Sequence, residues 1–411
     1  MSANTIIIIG AGEAGSAAAI GLREGGWTGS LILANAERHR PYERPPLSKA
    51  VLTGEGEQSP SALIAHGHRF EELGVELLSN VIVQSIDRNR RAVTMADGKE
   101  IAYDRLLVAV GAIPRRLNVE GGEHALVLRT FDDSIALRAH LSAGKRLTVI
   151  GAGFIGLELA ASARSLGVDV TVLEAAPRVL MRGVPAAIAE LIATRHRSAG
   201  VDIRVGTSLE RIEKRASDFL VHVAGGEPVR ADAVVAGVGA APNVGLAQQA
   251  GLELDNGIAV NERLATSDPD IFAAGDCCSF PHVLYGGRRV RLEAWRNAQH
   301  QGEAVARSML GAGEAFAKVP WFWTDQYDLH FQMAGLALGA SSVVTRQIAD
   351  DAMLMFHLAD DGRLLAASGI GPIGRVAKEV RIGEMLIERG ARIAPSSLAS
   401  PDVRLKSLLA A

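Results

Sequence analysis

Short apolar segments alternate with helical segments through most of the chain. An apolar strand over residues 5–9 is followed by a predicted helix over 13–25 and a second strand over 30–34. The same order returns later, where the apolar segment 147–150 leads into small, helix-forming residues and then into a strand over 170–173. Strands that alternate with helices of this length indicate parallel sheets covered by helices. The pattern therefore predicts an α/β fold.

The remaining segments complete two α/β units and a third region of different character. Buried strands over 105–112 and 233–239 close the first and second units. After Pro320 the chain becomes rich in aromatic residues, and alternating strands follow near 342–348, 352–358 and 363–369. We therefore predict a first domain made of residues 1–114 and 241–316, a second made of 115–240, and a C-terminal α+β domain over 317–411.

A glycine-rich turn closes the first strand of each α/β unit. The turn is Gly10-Ala11-Gly12-Glu13-Ala14-Gly15 in the first unit and Gly151-Ala152-Gly153-Phe154-Ile155-Gly156 in the second. Glycines at these positions let the backbone turn tightly and approach a pyrophosphate at the positive end of the following helix. One such turn is weak evidence, but each of these lies between a strand and a helix. The repeat predicts two Rossmann-like dinucleotide-binding domains.

An acidic residue about 20 positions after such a turn typically contacts the adenosine ribose. Glu174 meets this expectation at the end of strand 170–173, and Glu37 nearly meets it after the first unit's second strand. A carboxylate accepts from a ribose 2′-hydroxyl and repels a 2′-phosphate, so Glu174 favours NADH at the second turn. Arg178 and Arg182 follow closely and could receive a 2′-phosphate, which leaves NADPH as the alternative.

A third segment, Ser267 to Asp276, ends in an aspartate after a short buried strand. Open α/β sheets bind ligands at the carboxyl ends of their strands. A helix or turn cap is the other interpretation of Asp276. Together with the two glycine turns, this segment predicts a flavoenzyme with two dinucleotide sites.

The composition is that of a folded protein with a substantial core. The 411 residues suggest two to three domains, and 48% of them are hydrophobic. The net charge is -3 with both signs mixed, unlike the broad basic surface that nucleic-acid binding needs. No apolar run approaches a membrane span, and the chain enters its first strand without a basic region or a cleavage site. We therefore expect a cytoplasmic protein without nucleic-acid or membrane partners.

The sequence contains two cysteines, Cys277 and Cys278. Adjacent cysteines do not easily form an ordinary disulfide and are not the spaced pairs of dithiol relays. Segment 37–54, where a relay would be expected beside a flavin, contains none. A redox-active Cys277 is the alternative to a buried apolar role, which we favour. The eleven histidines show no metal-ligand spacing; His66 and His68 are interpreted as solvated, and no metal site is predicted.

Several segments together resemble one known family. They are GAGEAG, RPYERPPLSK, GAGFIGLELA, VVAGVGAAPN, SDPDIFAAGD, RLEAWRNAQHQG and VPWFWTDQYDL. The combination is similar to the FAD-dependent, NADH-dependent ferredoxin reductases of bacterial oxygenase systems, which supply electrons to aromatic-ring dioxygenases and haem-thiolate monooxygenases. The resemblance implies FAD and NADH as cofactors, a [2Fe-2S] ferredoxin as electron acceptor and an oxygenase as indirect partner.

The resemblance assigns residues around the first glycine turn to FAD. In it, Val83 would line the adenine pocket, and Arg129 would approach the phosphates. Asp276 would accept hydrogen bonds from the ribityl chain, and Trp295 would lie beside the isoalloxazine. The full set is Gly10, Gly12, Ala14, Gly15, Glu37, Arg44, Lys49, Val83, Gly111, Arg129, Asp276 and Trp295.

The chain departs from many relatives at the FAD ribose. Those relatives carry an acid aligned with Ala36, whereas here the acid is Glu37. Either Glu37 reaches the ribose from one position later, or this contact is lost.

Lys49 ends the proline-rich motif RPYERPPLSK. In an arbitrary protein such a lysine is a solvated surface charge. The resemblance instead places its ammonium near flavin N5 and O4, paired with Glu158. A buried cation favours the reduced flavin anion, and the carboxylate limits the cost of burying it. Lys49 and Glu158, with Trp323 on the side of the electron acceptor, are thus the expected catalytic residues.

The resemblance assigns the second glycine turn to NADH. Three glycines of the turn would surround the pyrophosphate, and Phe154 and Ile155 would face the nicotinamide. The arginines after Glu174 also occur in the NADH enzymes of the family, which favours NADH over NADPH. The residues implied are Gly151, Gly153, Phe154, Ile155, Gly156, Glu158, Glu174, Arg182 and Gly239.

The expected reaction passes a hydride from the nicotinamide to the flavin, for which the protein mainly supplies orientation and the local field. Without a cysteine pair, electrons would leave singly to an external acceptor. Alternatives are a reductase of rubredoxin or quinone, an oxidase, and a cofactor-sensing flavoprotein similar to the apoptosis-inducing type. The near-neutral charge argues against the last.

Overall fold

The computed structural model describes residues 4–54, 60, 64 and 68–410. The chain forms two compact units. The first consists of Met1–Glu43, Gln58–Ile113 and Ala241–Pro320. The second consists of Arg44–Glu57, Pro114–Ala240 and Trp321–Ala411. None of the described helices combines the length and the apolar composition that crossing a membrane requires.

The strands are, in chain order, β1 (Thr5–Ile9), β2 (Ser30–Asn35), β3 (Glu76–Ser79), β4 (Val83–Asp87), β5 (Ala92–Met95), β6 (Glu100–Ala102), β7 (Arg105–Val108), β8 (Ala112–Pro114), β9 (Arg146–Ile150), β10 (Asp169–Glu174), β11 (Asp202–Val205), β12 (Leu209–Lys214), β13 (Phe219–Val223), β14 (Val229–Ala231), β15 (Ala233–Ala236), β16 (Ala240–Pro242), β17 (Ile258–Ala259), β18 (Ile271–Ala273), β19 (Cys278–His282), β20 (Arg288–Val290), β21 (Trp321–Gln326), β22 (Leu329–Gly335), β23 (Ser342–Ala349), β24 (Ala352–Leu358) and β25 (Leu364–Pro372).

The α-helices are α1 (Glu13–Glu24), α2 (Ala50–Thr53), α3 (Arg69–Glu72), α4 (Phe131–Arg138), α5 (Phe154–Ser165), α6 (Ala186–Ser198), α7 (Gly245–Gln249), α8 (Trp295–Met309), α9 (Ala377–Glu388) and α10 (Pro395–Ala399). Short 3-10 helices are formed by Pro45–Ser48, Gly122–His124, Val283–Tyr285 and Leu405–Leu409.

The first unit is built on a parallel sheet in the order β18-β7-β1-β2-β3. The apolar residues of β1 are buried, as expected for a parallel strand covered on both faces. Helices α1 and α8 pack closely through small residues, because a Cβ on Gly302 would lie 2.4 Å from the carbonyl oxygen of Ala14. Smaller sheets, β4-β5-β6 and β17-β19-β20, complete this unit.

The second unit contains a parallel sheet in the order β11-β10-β9-β15 and an antiparallel sheet, β12-β13-β14. Its C-terminal part is an antiparallel sheet in the order β21-β22-β25-β24-β23, packed against α9. One hydrophobic core joins the two parts, since it includes Val149 and Ile188 as well as Phe331 and Ile370. The predicted α/β fold with two Rossmann-like domains and a C-terminal α+β domain is confirmed.

The proline-rich segment contains regular structure. Pro45–Ser48 forms a 3-10 helix that leads directly into α2. Both prolines lie at the first two helical positions, where a missing N–H costs nothing because it has no partner in the helix. This geometry fixes the backbone immediately before Lys49.

Candidate functional site

The first glycine turn leaves an open position beside the start of α1. A Cβ on Gly10, whose φ is +104°, would lie 2.4 Å from the carbonyl oxygen of Ala109. A Cβ on Gly15 would lie 1.9 Å from the Gly10 carbonyl oxygen, whereas one on Gly12 would have no described atom within 4 Å. Gly12 is the N-cap residue of α1 and has no side chain that could cap the helix. The amides of this helix end therefore border a space that suits an anionic group.

Two further predicted residues lie at the same edge of the sheet as this turn. Because β1, β7 and β18 run parallel, their carboxyl ends meet there. Gly111 follows β7, and Asp276 follows β18 through Gly275. A Cβ on Gly275 would lie 3.1 Å from the Cβ of Ala14, one of the predicted residues of the turn. The structure thus brings the first turn, Gly111 and Asp276 together.

Glu37 lies just beyond β2 and is held by the proline-rich segment. The hydroxyl of Tyr42 donates to Glu37 Oε2 at 2.5 Å. The backbone amide of Glu37 donates to the side chain of Asn35, the last residue of β2. Ala36 is exposed. Tyr42 belongs to the motif RPYERPPLSK, but nothing in the sequence indicates that it is the partner of Glu37.

Glu13 is a residue of the first turn that the sequence did not single out. Burial and the negative charge of Glu43 raise the pKa of Glu13 to about 7, although the nearby indole of Trp295 lowers it and Glu303 adds to the rise. Trp295 is the first residue of α8. The indole that the resemblance places beside the isoalloxazine is therefore a neighbour of a carboxyl that titrates near neutral pH.

Val83 and both cysteines are buried in the hydrophobic core of the first unit. Burial raises the pKa of the Cys277 thiol to about 11 and that of Cys278 well above its ordinary value. Both cysteines are free. The interpretation of Cys277 as a buried apolar residue is confirmed, because such a thiol forms almost no thiolate at neutral pH.

The second glycine turn repeats the geometry of the first. A Cβ on Gly151, whose φ is +103°, would lie 2.6 Å from the carbonyl oxygen of Gly237. A Cβ on Gly156 would lie 2.2 Å from the Gly151 carbonyl oxygen. One on Gly153 would be 3.9 Å from its nearest neighbour, and no side chain caps α5 there. The middle position is again the one left open beside a helix amino terminus.

Glu174 ties the end of β10 to the second turn. Its Oε2 accepts from the backbone amide of Ala152 at 2.7 Å, and its Oε1 accepts from the amide of Ala176 at 2.8 Å. A carboxylate oxygen has more than one lone pair, so each can still accept a hydroxyl. Glu174 is thus positioned by the turn itself.

The two arginines behind Glu174 have different surroundings. Arg178 donates through its Nη atoms to four backbone carbonyl oxygens, those of Val179, Leu180, Met181 and Val184. Arg182 lies beside Gly239, since its Nη2 is 3.1 Å from the position of a Cβ on that glycine. Arg178 therefore stabilises the loop that surrounds it. A 2′-phosphate could bind the Nη atoms of Arg178 only by displacing these carbonyl oxygens.

Phe154 and Ile155 point in different directions. The ring of Phe154 packs on Phe322 of β21 at a centroid distance of 4.3 Å and lies 6.2 Å from Phe331 of β22. The side chain of Ile155 is 48% exposed. Phe154 thus joins α5 to the C-terminal sheet, and Ile155 is the more accessible of the two to a ligand.

Lys49 and Glu158 form the ion pair that the resemblance implied. The distance from Lys49 Nζ to Glu158 Oε1 is 2.8 Å, and Glu158 is only 5% exposed. Glu158 also accepts from the hydroxyls of Ser48 and Thr324, each at 2.5 Å. No local sequence pattern signals these two contacts, because they join residues more than 100 positions apart along the chain.

Arg44 and Arg129 are also neighbours, since an Nη of Arg44 donates to the backbone carbonyl of Arg129. Arg129 precedes α4, which has a capping box between Thr130 and Asp133. The backbone amide of Arg129 donates to Asp133 at 3.0 Å. These contacts hold Arg44 and Arg129, which are both predicted to bind FAD, close to one another.

Trp323 stacks on Trp321 on one face of β21, with ring centroids 5.3 Å apart and an interplanar angle of 25°. Asp325, two residues further along the same face, pairs with the imidazole of His330. Although burial of the carboxyl opposes it, this partner lowers the pKa of Asp325. Both tryptophans are only half-buried, so a flat aromatic surface remains accessible.

Both glycine turns fit the pyrophosphate of a dinucleotide. In each, the outer glycines are required by the packing of the chain on itself, and the middle glycine keeps clear the space before the helix. FAD at the first turn and NADH at the second are consistent with the acids Glu37 and Glu174. Within the described ranges, no group of three His, Cys, Asp or Glu residues is arranged to hold a metal. His68 is exposed, and His66 lies outside the described residues.

Comparison with known proteins agrees with this arrangement. Residues 4–302 match the family described as pyridine nucleotide-disulphide oxidoreductases, and residues 321–409 match the reductase C-terminal family. The chain belongs to the pyridine nucleotide-disulphide oxidoreductases. The family prediction, the enzyme class of oxidoreductase, and FAD and NADH as cofactors are thereby confirmed.

Relatives within this oxidoreductase family cover the whole chain. The ferredoxin–NAD(+) reductase component of the anthranilate 1,2-dioxygenase system of Burkholderia cepacia is 38% identical over 100% of both chains. Putidaredoxin reductase of Pseudomonas putida is 37% identical over 100% of this chain and 98% of the relative. The solved covalent complex of putidaredoxin reductase with putidaredoxin matches with a TM-score of 0.93 and 36% identity, over 99% of this chain and 98% of that chain.

Proposed function

We propose that this protein is an NADH:ferredoxin oxidoreductase that supplies single electrons to a [2Fe-2S] ferredoxin serving a mono- or dioxygenase. When bound, FAD supplies the chemistry that connects a hydride donor to a one-electron acceptor. The observation that carries the proposal is the presence of two glycine turns with open middle positions in a chain whose only two cysteines are buried and adjacent.

The cysteines decide the kind of acceptor. A dithiol relay needs a reactive thiol beside the flavin, whereas burial raises the pKa of both Cys277 and Cys278. Electrons must therefore leave the protein directly. The relatives' names associate them with dioxygenase systems and with putidaredoxin, which supports a ferredoxin as the acceptor here.

The residues proposed to hold FAD include those of the first turn. The helix end at Gly12 binds the pyrophosphate, and Asp276 accepts from the ribityl chain. Glu37, oriented by Tyr42, accepts from the ribose. Arg44, Val83, Gly111, Arg129 and Trp295 complete the proposed set.

The second turn is proposed to bind NADH in preference to NADPH. The two amide contacts hold the Glu174 carboxylate rigidly beside the turn, where it meets the 2′-hydroxyl and repels a 2′-phosphate. The loop carbonyls that engage Arg178 favour the same choice. Gly151, Gly153, Gly156, Ile155, Arg182 and Gly239 line the proposed site, with Phe154 supporting it from behind.

Lys49 and Glu158 are proposed to act as a pair at the flavin. The ammonium stabilises negative charge that develops on the flavin, and the Glu158 carboxylate offsets the cost of removing most of this cation from water. The half-buried Trp321 and Trp323 rings provide the surface where the ferredoxin docks.

The predicted domains are part of the proposal. Residues 1–114 with 241–316 bind FAD, residues 115–240 bind NADH, and residues 317–411 present the aromatic surface. We also propose a cytoplasmic location, because NADH is supplied there and a ferredoxin must return to the reductase between turnovers.

The experiment that tests the function is anaerobic NADH oxidation by the purified flavin-loaded protein. The acceptors are a small panel of [2Fe-2S] ferredoxins, a rubredoxin and, separately, oxygen, with ferricyanide as the positive control. We expect rapid reduction of at least one ferredoxin and little consumption of oxygen.

Other outcomes identify the alternatives. Rubredoxin or oxygen as the preferred acceptor would replace the ferredoxin assignment while leaving both nucleotide sites in place. Slow turnover with every acceptor, together with tight retention of reduced nucleotide, would favour a cofactor-sensing flavoprotein. Failure to reduce ferricyanide would reject the NADH and FAD assignments together.

A further inference from the structure

A buried chain of hydrogen bonds leads from the Lys49–Glu158 pair to a histidine on α6. Thr324 Oγ1 lies 2.5 Å from Glu158 Oε1, and Gln326 Nε2 lies 3.2 Å from Thr324 Oγ1. His196 Nε2 lies 2.8 Å from Gln326 Oε1. All of these residues except Lys49 are almost completely buried. We call Thr324, Gln326 and His196 the β21–α6 relay.

The alternation of β21 explains how the relay forms. Successive side chains of a strand point to opposite faces, so Thr324 and Gln326 lie on the face opposite Trp323 and Asp325. Residues four apart on a helix share one face, and on α5 these are Phe154 and Glu158. Phe154 meets Phe322, and Glu158 meets Thr324, two positions further along the strand. The strand that bears Trp323 is thereby fixed to the ion pair.

The donors of the relay all point toward Glu158. An ionised carboxylate only accepts, so the single proton of the Thr324 hydroxyl is donated to it. The Thr324 oxygen then accepts from the amide group of Gln326, whose own oxygen is left to accept from His196. Burial lowers the pKa of His196 to about 4, so its ring is neutral, and the Gln326 oxygen selects the form with a proton on Nε2.

Reversing any member would break this order. With the Gln326 amide turned over, its oxygen would face the Thr324 oxygen, whose proton is already committed. Aligned donors polarise one another and strengthen the last hydrogen bond to the anion. The order of the relay thus follows from the charge of Glu158.

We propose that Thr324, Gln326 and His196 are positioning residues that hold the Glu158 carboxylate and thereby determine how Lys49 is shared between Glu158 and the flavin. This inference rests on the proposed function, which puts Lys49 at the flavin. The inference adds that the midpoint potential of the flavin depends on Thr324 and Gln326 of β21, without direct contact between these residues and the flavin.

Thr324→Val is the decisive change, because valine has nearly the same shape but cannot donate. Among the described residues, Glu158 then keeps Ser48 and Lys49 as donors, so it holds the ammonium more tightly. Lys49 stabilises negative charge on the flavin less. We expect a more negative midpoint potential and flavin reduction by NADH about tenfold slower, the usual scale for a lost hydrogen bond to a charged group.

The experiment measures the flavin midpoint potential by equilibration with redox dyes, and then the rate of flavin reduction by NADH in single turnover. Thr324→Ser retains the hydroxyl and should restore both values. Gln326→Leu acts one bond further from Glu158 and should shift both in the same direction by less. Thr345→Val is the matched control, because Thr345 is an exposed residue of β23 in the same sheet.

A wild-type potential and rate in Thr324→Val would overturn the proposal, as would equal shifts in Thr324→Val and Thr324→Ser. If Thr324→Val does not fold, an unshifted potential in Gln326→Leu overturns it instead. The proposed function fails separately: a wild-type protein that binds flavin but does not reduce ferredoxin contradicts that function, while the comparison of potentials still decides the relay.

Discussion

At the scale of single residues, the second turn shows that charge alone does not reveal a binding role. Arg178 and Glu174 are four positions apart in the sequence, and both were candidates for the ribose or its phosphate. In the structure, the Nη atoms of Arg178 donate hydrogen bonds to four backbone carbonyl oxygens. Two backbone amides donate to the Glu174 carboxylate and orient it. Neither set of contacts has a sequence signature, because the partners are backbone atoms.

We predict that Glu174→Ala and Arg178→Ala have different effects on nucleotide choice. Without the carboxylate, the ratio of kcat/KM for NADH to that for NADPH should fall roughly tenfold, since a charged hydrogen-bond partner is removed. Arg178→Ala should raise KM for both nucleotides by loosening the loop and leave the ratio unchanged. Steady-state kinetics with ferricyanide measure both. A selective loss of NADPH activity in Arg178→Ala would show that this arginine binds the phosphate after all.

Glu13 provides a prediction about pH. Its pKa is raised from 4.5 to about 7 by burial, Glu43 and Glu303, against the opposing effect of the Trp295 indole. A carboxyl with a raised pKa in the folded state contributes stability below its unfolded pKa and loses it as the pH rises through the folded value. Glu13→Gln should therefore match the wild type near pH 4.5 and be more stable by about 1–2 kcal/mol at pH 8.

Thermal unfolding of the flavin-free protein between pH 4.5 and 8.5 measures this difference. Glu303→Gln is a useful comparison, because it removes only a secondary neighbour and should produce a smaller effect of the same sign. A difference between Glu13→Gln and the wild type that stays constant with pH would mean that Glu13 does not titrate in this range.

At the scale of elements, the local patterns located the strands and helices that carry the site. The strands predicted over 5–9, 30–34, 147–150 and 170–173 correspond to β1, β2, β9 and β10, and the helix predicted over 13–25 corresponds to α1. Between β3 and β4, Asn80 has a φ of +58°, which is incompatible with a continuous strand. Strand pairing in the C-terminal sheet and the contacts of Thr324 depend on residues far apart in sequence, which no local pattern encodes.

Gly153 and Gly156 of the second glycine turn have different roles. A Cβ on Gly156 would lie 2.2 Å from a carbonyl oxygen, whereas one on Gly153 would be 3.9 Å from its nearest neighbour. Gly156→Ala should therefore reduce stability or prevent folding. Gly153→Ala should fold and retain FAD, but it should bind NADH at least tenfold more weakly because the methyl group enters the nucleotide space. Thermal unfolding and NADH titration of the flavin-loaded protein measure these effects. Equal losses of stability in Gly153→Ala and Gly156→Ala would contradict the prediction.

At the scale of the whole molecule, sequence order and folding units differ. Residues 114–240 and 321–411 are separated by a long segment that belongs to the first unit, yet they share one hydrophobic core. Phe331 of β22 is 1% exposed and belongs to this core together with residues of β9, α5 and α6. The C-terminal sheet therefore shares its core with the segment that contains the second glycine turn.

This arrangement predicts that a destabilising substitution in one part of the second unit also destabilises the other part. Phe331→Ala removes a large buried ring and should cost about 3–5 kcal/mol. It should accelerate amide hydrogen exchange in α5 and α6 as well as in β22 and β25, because all of them pack on the shared core. Phe356→Ala is the matched control: Phe356 is equally buried in β24 but lies outside that core, so its effect on exchange should be concentrated in residues 321–411. If Phe331→Ala left amide hydrogen exchange in α5 and α6 at the wild-type rate, the two segments would unfold independently of one another. The proposed dependence of the Lys49–Glu158 pair on β21 would then lose the support of the shared core.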